Sequence, residues 1–477
     1  MSFKRRVVLT SLLLALSHPV AAETEEVRST LQDQQQVAVT IYNSNLALVK
    51  DQRRIHLNGG ANLLAFRDVS AHIRPETALL RSLTSVGSLK VVEQNFDFDL
   101  LTPQALLEKY VGKTVTVIRT HPTTGAESSE TAQVLAANNG VVLQIGNRIE
   151  TGIPGRIVYG DVPKNLRDRP TLVMQLDNQG ARQQDVELSY LTSGLSWRAD
   201  YVAELNATDD KLDLSGWVTL TNASGAAYRN AKLQLVAGDV NEVQQERFAA
   251  APVMAMAMRD GGMQKMREES LLEYHLYTLD RPTTIAEQQT KQVALLSASS
   301  VPVRKELLLQ GSDYYYQSSY GDLGQKMKLG VFVEFDNREA SRLGIPLPKG
   351  VVRVYKKDGS GNAQFVGEDR IDHTPKNEKV RLKLGEAFDV TADKKQTDFK
   401  RIDSKNNGIY ETAYEIVLKN AKSEAVMVTV REPIPADWKM LRHSHPYEKA
   451  TSNTAVWRIS IPAESRTTLS YRVLVKY

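Results

Sequence analysis

The sequence contains no cysteine among its 477 residues. Without thiols the chain cannot form a disulfide framework or carry a lipid anchor on a lipobox cysteine. In an oxidising compartment, the stability of the fold must therefore come from its buried core area.

Common catalytic signatures are also missing. The sequence has no HExxH, GxGxxG, P-loop or GxSxG pattern, and the stretch GLSWR at residues 194–198 lacks the second glycine of a nucleophile elbow. The best calcium-loop candidate, at residues 403–408, has Lys405 where an oxygen ligand is required. We therefore expect no catalytic set and no bound cofactor.

No apolar run is long enough to cross a bilayer. The run Val7–Leu16 follows three basic residues and precedes small residues ending at Ala22, which are the three parts of a secretory signal peptide. A spanning helix needs roughly 20 apolar residues. We predict a signal peptide at residues 1–22, cleavage after Ala22, a periplasmic location and no transmembrane segment in the mature chain.

The charge is close to balanced, with 60 basic and 56 acidic residues and a net charge of +4. Removing the three basic residues of the leader brings the net charge to about +1. No long basic stripe occurs, so nucleic acid is not an expected partner.

The length suits about three domains, each with its own core. Alternating apolar residues separated by turn residues predict an all-β, multidomain chain, except for a short helix that begins with the Thr102 N-cap and Pro103. Short strands with tight turns after this helix are typical of a small SH3-like barrel. The predicted organisation is a flexible leader at 23–36, an N-terminal β-sandwich at 37–101, a helix plus SH3-like barrel at 102–165, a central β-sandwich at 166–392 with a Met-rich insert at 244–272, and a C-terminal immunoglobulin-like domain at 393–477.

Residues 191–243 show the clearest strand pattern. Leu212, Leu214, Val218 and Leu220 are separated by even numbers of positions and would share one face of a strand. This pattern predicts a strand with one buried face. Trp197 and Trp217 are expected to fill a core between sheets, since large rings at strand positions usually do so.

Two further patterns concern the C-terminal part. The stretch IVLKNAKS at 416–423 resembles VTLTNASG at 218–225, which predicts a duplicated sandwich hairpin or the same turn chemistry arising twice. Alternating apolar residues at 469–477 predict a final strand packed against the sheet that holds Trp457.

The stretches GLSWRADYVAEL at 194–205 and GWVTLTN at 216–222 resemble the bacterial exported proteins of the domain-of-unknown-function 4139 family, some of them labelled mucoidy-inhibitor-like. The likeness extends to VTIYNSNLALVK at 39–50 and to AVWRISIPAE at 455–464. Longer relatives carry a coiled-coil insert, and no heptad run is present here. The resemblance implies an envelope location and a β-rich fold, and it supplies no catalytic residues.

The insert is rich in methionine, including Met254, Met256 and Met258. Thioether sulfurs select copper(I), so a periplasmic copper loop is one hypothesis. The alternative is a poorly ordered, removable insert at 244–268 whose methionines rest on apolar surface, since methionine fills irregular gaps.

His443 and His445 form the only close histidine pair. On a strand both imidazoles would point to one side and could share a zinc or copper ion. The sequence identifies no third ligand, and two ligands do not make a closed zinc site.

Four tyrosines, Tyr314, Tyr315, Tyr316 and Tyr320, lie within eight positions. Such a cluster can stack on a glycan or anchor a protein partner. The alternative is that the rings fold onto the protein's own sheet.

Asp97 and Asp99 would share one strand face and could act as paired carboxylates, or they could form a solvated strand edge. We favour a non-catalytic periplasmic protein that binds or scaffolds an envelope protein or glycan. The alternatives are a carbohydrate-active or hydrolytic enzyme, and copper or zinc binding.

Overall fold

Strands dominate the computed structural model of the protein, which describes residues 25–138, 140–163, 166–238, 240–241, 266–403 and 408–477. Within these residues the all-β, multidomain prediction is confirmed. The described residues contain one α-helix and three short 3-10 helices, at Pro75–Thr77, Asp313–Tyr316 and Glu339–Ser341. None of the described helices is long and apolar enough to cross a membrane.

The described chain up to Thr192 contains the following elements: β1 Glu26–Ser29, β2 Gln34–Tyr42, β3 Ala47–His56, β4 Gly60–Arg67, β5 Leu79–Ser82, β6 Leu89–Asp97, α1 Pro103–Lys109, β7 Thr114–Thr120, β8 Glu127–Ala136, β9 Val142–Ile145, β10 Arg148–Thr151, β11 Arg156–Val158, β12 Thr171–Asn178 and β13 Gln183–Thr192.

The remaining described strands are β14 Leu195–Leu205, β15 Lys211–Asn222, β16 Tyr228–Ala237, β17 Met266–Leu271, β18 Tyr274–Leu279, β19 Thr283–Ile285, β20 Gln289–Gln310, β21 Asp322–Asp336, β22 Gly350–Lys357, β23 Ala363–Ile371, β24 Lys379–Asp403, β25 Ile409–Asn420, β26 Val426–Pro433, β27 Asp437–His443, β28 Glu448–Thr451, β29 Thr454–Ile461 and β30 Ser465–Lys476.

The chain forms two compact units that are not continuous in sequence. The first unit contains residues up to Gln36 together with Lys50–Tyr190, and the second contains Val37–Val49 together with Leu191–Tyr477. A break between the units does fall at residue 37, but the predicted sandwich at 37–101 is not one unit, because Val37–Val49 belongs to the second unit, where β2 pairs in parallel with β16.

The first unit contains a four-stranded sheet in the order β1-β4-β12-β6. Strand β12 lies beyond the predicted boundary at residue 166, yet it pairs with both β4 and β6. The predicted sandwich at 37–101 is therefore not self-contained, since it lacks β12, one of the two central strands of this sheet.

The predicted flexible leader at 23–36 is wrong for its described part. Strand β1 pairs in parallel with β4, and Ser29 is buried. Arg53, also fully buried, explains this order, because its guanidinium donates to Ser29 O at 3.0 Å and pairs with Asp51 at 2.8 Å. A polar composition therefore does not prevent this segment from completing a sheet edge.

The helix plus five-strand module lies close to its predicted place. Thr102 caps α1 by accepting a hydrogen bond from Ala105 N at 3.0 Å, and Leu107 and Tyr110 join the core of the sheet β10-β9-β8-β7-β11. No described pairing joins β10 to β11. The five strands of the predicted SH3-like barrel therefore form an open sheet.

The second unit contains a long sheet in the order β23-β22-β14-β15-β20-β21-β24-β25-β30-β27. The predicted buried parity of β15 is confirmed, with Leu212, Leu214, Val218 and Leu220 at most 1% exposed. Trp197 is buried as expected, whereas Trp217 is on the opposite face and only half-buried. In β30 the residues from Leu469 to Val475 of the predicted parity are buried, but Tyr477 is 40% exposed.

The resemblance between 218–225 and 416–423 corresponds to repeated structure. We name β2, β14, β15, β16 and the first half of β20 the first copy, and Leu307–Gln310, β24, β25, β26 and β30 the second copy. Asn222 donates to Ala226 O at 2.8 Å, and Asn420 donates to Glu424 O, also at 2.8 Å. Asn222 also donates to a carbonyl oxygen in the turn before β20, at 3.0 Å. Asn420 donates in the same way to a carbonyl oxygen in the turn before β30, at 2.9 Å. The two hairpins are therefore held by equivalent hydrogen bonds.

The predicted boundary at residue 393 is also wrong. Asp393 lies inside the 25-residue strand β24, paired with Val417. In the sequence, the charged run that starts at Asp393 resembles a linker, because side chains on the more exposed face of β24 are charged. Val390 and Ala392, on the opposite face of the strand, are fully buried.

The insert predicted at 244–272 ends earlier than expected. Met266–Leu271 forms β17, paired antiparallel with β18, and Met266 is buried. Residues 242–265, with Met254, Met256 and Met258, are outside the described part of the chain.

Candidate functional site

The four predicted tyrosines divide between the surface and the core. Tyr314 and Tyr320 are 48% and 42% exposed, whereas Tyr315 and Tyr316 are 4% and 0% exposed. The 3-10 helix Asp313–Tyr316 explains the division, because consecutive side chains of a tight helix leave it in different directions. The prediction that all four contact a partner is therefore wrong for Tyr315 and Tyr316.

The buried tyrosines surround an ion pair between Lys394 and Glu432. Lys394 Nζ lies 2.7 Å from each carboxylate oxygen, and the two side chains are 1% and 0% exposed. Tyr316 donates its hydroxyl to Glu432 Oε2 at 3.0 Å and lies 2.8 Å from the Tyr471 hydroxyl. The ammonium lies 4.1 Å from the centre of the Tyr315 ring. The buried charge pair is thus contacted by a hydrogen-bond donor on the carboxylate and by an aromatic ring over the ammonium.

Burial changes the acidity of these groups. It lowers the pKa of Lys394, against the opposing effect of the Glu432 carboxylate. It raises the pKa of Tyr316 and Tyr471 well above the ordinary value, and the negative charge of Glu432 raises both further. Both phenols therefore stay protonated and act as hydrogen-bond donors at neutral pH.

A second set of bonds fixes the backbone of the tyrosine segment. Gln396 donates to Ser318 O at 3.0 Å and accepts from Tyr320 N at 2.7 Å. Tyr414 donates its hydroxyl to Tyr315 O at 2.6 Å. The exposed tyrosines are consequently attached to an ordered base.

Two further rings, the half-buried Tyr410 of β25 and the exposed Tyr477 after β30, form a second pair, and we call Tyr314, Tyr320, Tyr410 and Tyr477 the tyrosine surface. The rings of Tyr314 and Tyr320 are 5.6 Å apart at 80°, and those of Tyr410 and Tyr477 are 5.8 Å apart at 76°. Burial raises the pKa of Tyr477, and the charges of Asp313, Tyr410 and Tyr320 raise it further.

The first copy has no counterpart of the ion pair. Asn420 pairs with Val390, and Lys394 is four residues further along β24. In the first copy Asn222 pairs with Leu195, and the residue four positions further is Ala199, which is buried. The fold itself therefore does not require a lysine at this position.

The same comparison holds for the carboxylate. Once a one-residue bulge near Asn230 is taken into account, Glu432 corresponds to Leu235, which pairs with Ile41. In the second copy the residue beside Glu432 is Gly311, and a Cβ atom there would lie 2.3 Å from Glu432 Oε2. The glycine thus leaves the space that the carboxylate occupies.

Sequence reasoning did not find Lys394, Glu432, Gly311 or Gln396. A signal was present, because Lys394 and Gln396 continue the inward parity of Val390 and Ala392. A polar residue at a core position of a strand needs a partner. Only the tertiary structure shows that the partner of Lys394 is 38 residues away.

The predicted metal residues do not gather ligands in the described structure. His443 is exposed, and its Nδ1 lies 2.9 Å from the carbonyl oxygen of His445. His445 Nδ1 lies 2.9 Å from the Ser444 hydroxyl. Within the described ranges, no group of three or more His, Cys, Asp or Glu side chains could hold an ion.

The predicted carboxylate pair is also split. Arg167 donates to Asp97 at 2.9 Å, and Lys109 lies 2.6 Å from Asp99. Each carboxylate has its own cation, so the two are not arranged as an acid and a base acting on one bond.

Two described cavities contain acids that are also paired. One of about 320 Å³ contains Asp168, which is bound by Arg67. The other, of about 220 Å³, contains Asp209, which lies 2.8 Å from Lys305 and 2.5 Å from Lys356.

These features define an all-β, multidomain protein with a duplicated hairpin and an exposed aromatic surface. The chain belongs to the family described as Domain of unknown function (DUF4139), whose model matches residues 186–477. A comparison with curated proteins finds no match. The matched range includes the tyrosine surface and the buried ion pair.

Proposed function

We propose that this protein is a non-catalytic component of the cell envelope, exported to the periplasm, and that it binds an envelope protein through the tyrosine surface. The observation that carries the proposal is the contrast within one segment, where Tyr314 and Tyr320 are exposed while Tyr315 and Tyr316 hold them on a buried base. Rigid, exposed tyrosines are common energetic centres of protein interfaces.

The ring geometry favours a protein partner over a glycan. The neighbouring rings of the tyrosine surface meet at 80° and 76°, edge to face. A sugar stacks on a flat, open ring face, whereas crossed rings form pockets that suit side chains. The hydroxyls at the rim add hydrogen-bonding groups.

The periplasmic part of the proposal rests on the leader pattern at residues 1–22. Asp97 and Asp99, each paired with a separate cation, support a binding role over an enzymatic one.

The test is photocrosslinking in intact cells. A photoreactive amino acid replaces Tyr314 or Tyr320, and Lys376, an exposed residue of the second unit, serves as the control position. We expect a discrete protein adduct from positions 314 and 320 and none from position 376. In cells with Tyr314→Ala and Tyr320→Ala, copurification of the adducted protein should fall at least about tenfold, as expected for the loss of an interface centre.

Three results would contradict the proposal. These are equal adducts at all three positions, unchanged copurification in the double variant, and an adduct that a glycan-degrading enzyme removes. The last result would identify a glycan as the ligand instead.

A further inference from the structure

The buried ion pair is an unusual element for this core. Lys394 and Glu432 are 1% and 0% exposed, and each carboxylate oxygen is 2.7 Å from the lysine nitrogen. The first copy fills the corresponding positions with Ala199 and Leu235. A buried ion pair is often no more stabilising than apolar residues of similar volume, so packing alone does not explain it.

Burial excludes water from the pair, and two aromatic rings lie against the lysine nitrogen. Tyr315 lies over the lysine nitrogen at 4.1 Å, and Tyr414 lies 5.2 Å away. Transfer of one proton from Nζ to Oε1 converts the pair into an amine and a carboxylic acid, and both lose their charge within the buried site. A neutral amine held against a neutral acid has the reactants of amide formation at very high effective concentration.

We propose that Lys394 and Glu432 become joined by an amide bond between Nζ and Cδ, which crosslinks β24 to β26. After the first proton transfer, the Nζ lone pair attacks Cδ and negative charge develops on Oε2. Tyr316 donates to Oε2 at 3.0 Å and stabilises that charge. A second proton then passes from Nζ to Oε1, the bond from Cδ to Oε1 breaks, and one water molecule leaves. The products are an amide and water, and no oxidant or other reactant is needed.

Such a crosslink would give the protein a covalent link between strands. The sequence has no cysteine and therefore no disulfide. An amide between residues 394 and 432 closes a loop that contains all of β25, the central strand between β24 and β30. Closing a loop of this length restricts the unfolded chain as a disulfide does.

Mass spectrometry of the full-length protein, purified from its native compartment and then denatured, tests the proposal. Trypsin cannot cut after an amidated Lys394, so the crosslinked product joins residues 384–395 to residues 432–439. We expect this branched peptide, lighter than the sum of its two components by one water. The buried pair Arg53 and Asp51 serves as an internal control, because a guanidinium is not expected to react in this way.

A matched variant provides the second measurement. The triple variant Gly311→Ile, Lys394→Ala, Glu432→Leu gives the second copy the residues of the first, so it should fold without the crosslink. The branched peptide should be absent from it. Folded wild-type protein that yields only the two separate linear peptides, both when fresh and after prolonged incubation at 37 °C, would overturn the proposal, whatever the behaviour of the variant.

Discussion

Gly311 illustrates how one residue without a side chain permits a buried carboxylate. Its Cβ position is 2.3 Å from Glu432 Oε2, and its backbone N–H donates to Arg431 O at 2.8 Å. Nothing in its backbone conformation excludes alanine, so the cost of a substitution would be steric alone.

Gly311→Ala should therefore destabilise the second unit by about 1–3 kcal/mol, the usual cost of overpacking a filled core. The measurement is urea unfolding followed by tryptophan fluorescence. Gly359→Ala is the matched control, because no atom lies within 4 Å of its Cβ position. Equal midpoints for the two variants would show that Glu432 can move away from this position.

At the scale of elements, short polar strands can matter more than their composition suggests. Strand β1 has four residues, yet it provides the edge of the four-stranded sheet and binds Arg53 through Ser29 O. Glu26 in the same strand accepts from Arg167 at 3.0 and 2.8 Å. The pKa of Glu26 is lowered, chiefly by the Arg167 hydrogen bond.

A chain that begins at Gln34 should therefore show a weakened first unit compared with a chain that begins at Glu25. The buried guanidinium of Arg53 loses both Ser29 O and Ser29 Oγ as acceptors, which costs about 1–3 kcal/mol. Limited proteolysis should cleave the first unit at least about fivefold faster, as that loss implies when cleavage follows transient opening. Arg28→Ala, whose side chain is 65% exposed, should leave the cleavage rate unchanged. Equal rates for all three proteins would contradict a structural role for β1.

At the scale of the whole molecule, one short segment belongs to a different unit from the residues before and after it in the sequence. The family match begins at residue 186, but the second unit also includes Val37–Val49. In β2, Val37, Val39 and Ile41 are at most 2% exposed, and the strand pairs with β16.

The fragment 191–477 should accordingly be less stable than the same region in the full chain. Burial of the three β2 side chains contributes about 1.5–3 kcal/mol each. A synthetic peptide of residues 34–49 should raise the melting temperature of the fragment, whereas the same peptide with Val39→Asp and Ile41→Asp should not. The prediction fails if the fragment alone melts at the temperature of the full chain.

Stability should also fall in acid. Burial opposes ionisation of Asp209, but the hydrogen bonds from Lys305 and Lys356 outweigh it and lower its pKa. Asp200 behaves in the same way, since burial is outweighed by Thr219 and Arg353. Because the folded pKa values lie below the unfolded values, this stabilisation is present above the unfolded pKa and is lost as pH falls through the folded pKa.

Urea midpoints measured at pH 7, 5 and 3 test this expectation. The midpoint should change little between pH 7 and 5 and should drop at pH 3, below the ordinary aspartate pKa of about 3.9. Asp209→Asn should have a lower midpoint at pH 7 and a smaller drop in acid. A midpoint that is constant between pH 5 and pH 3 would contradict the assignment of these carboxylates.

Local patterns were enough for the strands themselves. Alternation predicted the buried parity of β15 and most of β30, and turn residues predicted the repeated hairpin after Asn222 and Asn420, because these signals depend on neighbours in sequence. The family resemblance was confirmed by the match over residues 186–477.

Tertiary structure alone decided which strands share a sheet. Residues 37–49 joined strands nearly two hundred residues away, and β12 completed a sheet begun by β4, because strand pairing depends on non-local contacts. It also decided that Tyr315 and Tyr316 lie inside while Tyr314 and Tyr320 lie outside, since a 3-10 helix separates neighbours in sequence. Lys394 is an ordinary charged residue in the sequence, and only the fold brings Glu432 to it, because the space for a carboxylate depends on Gly311, which directly follows β20.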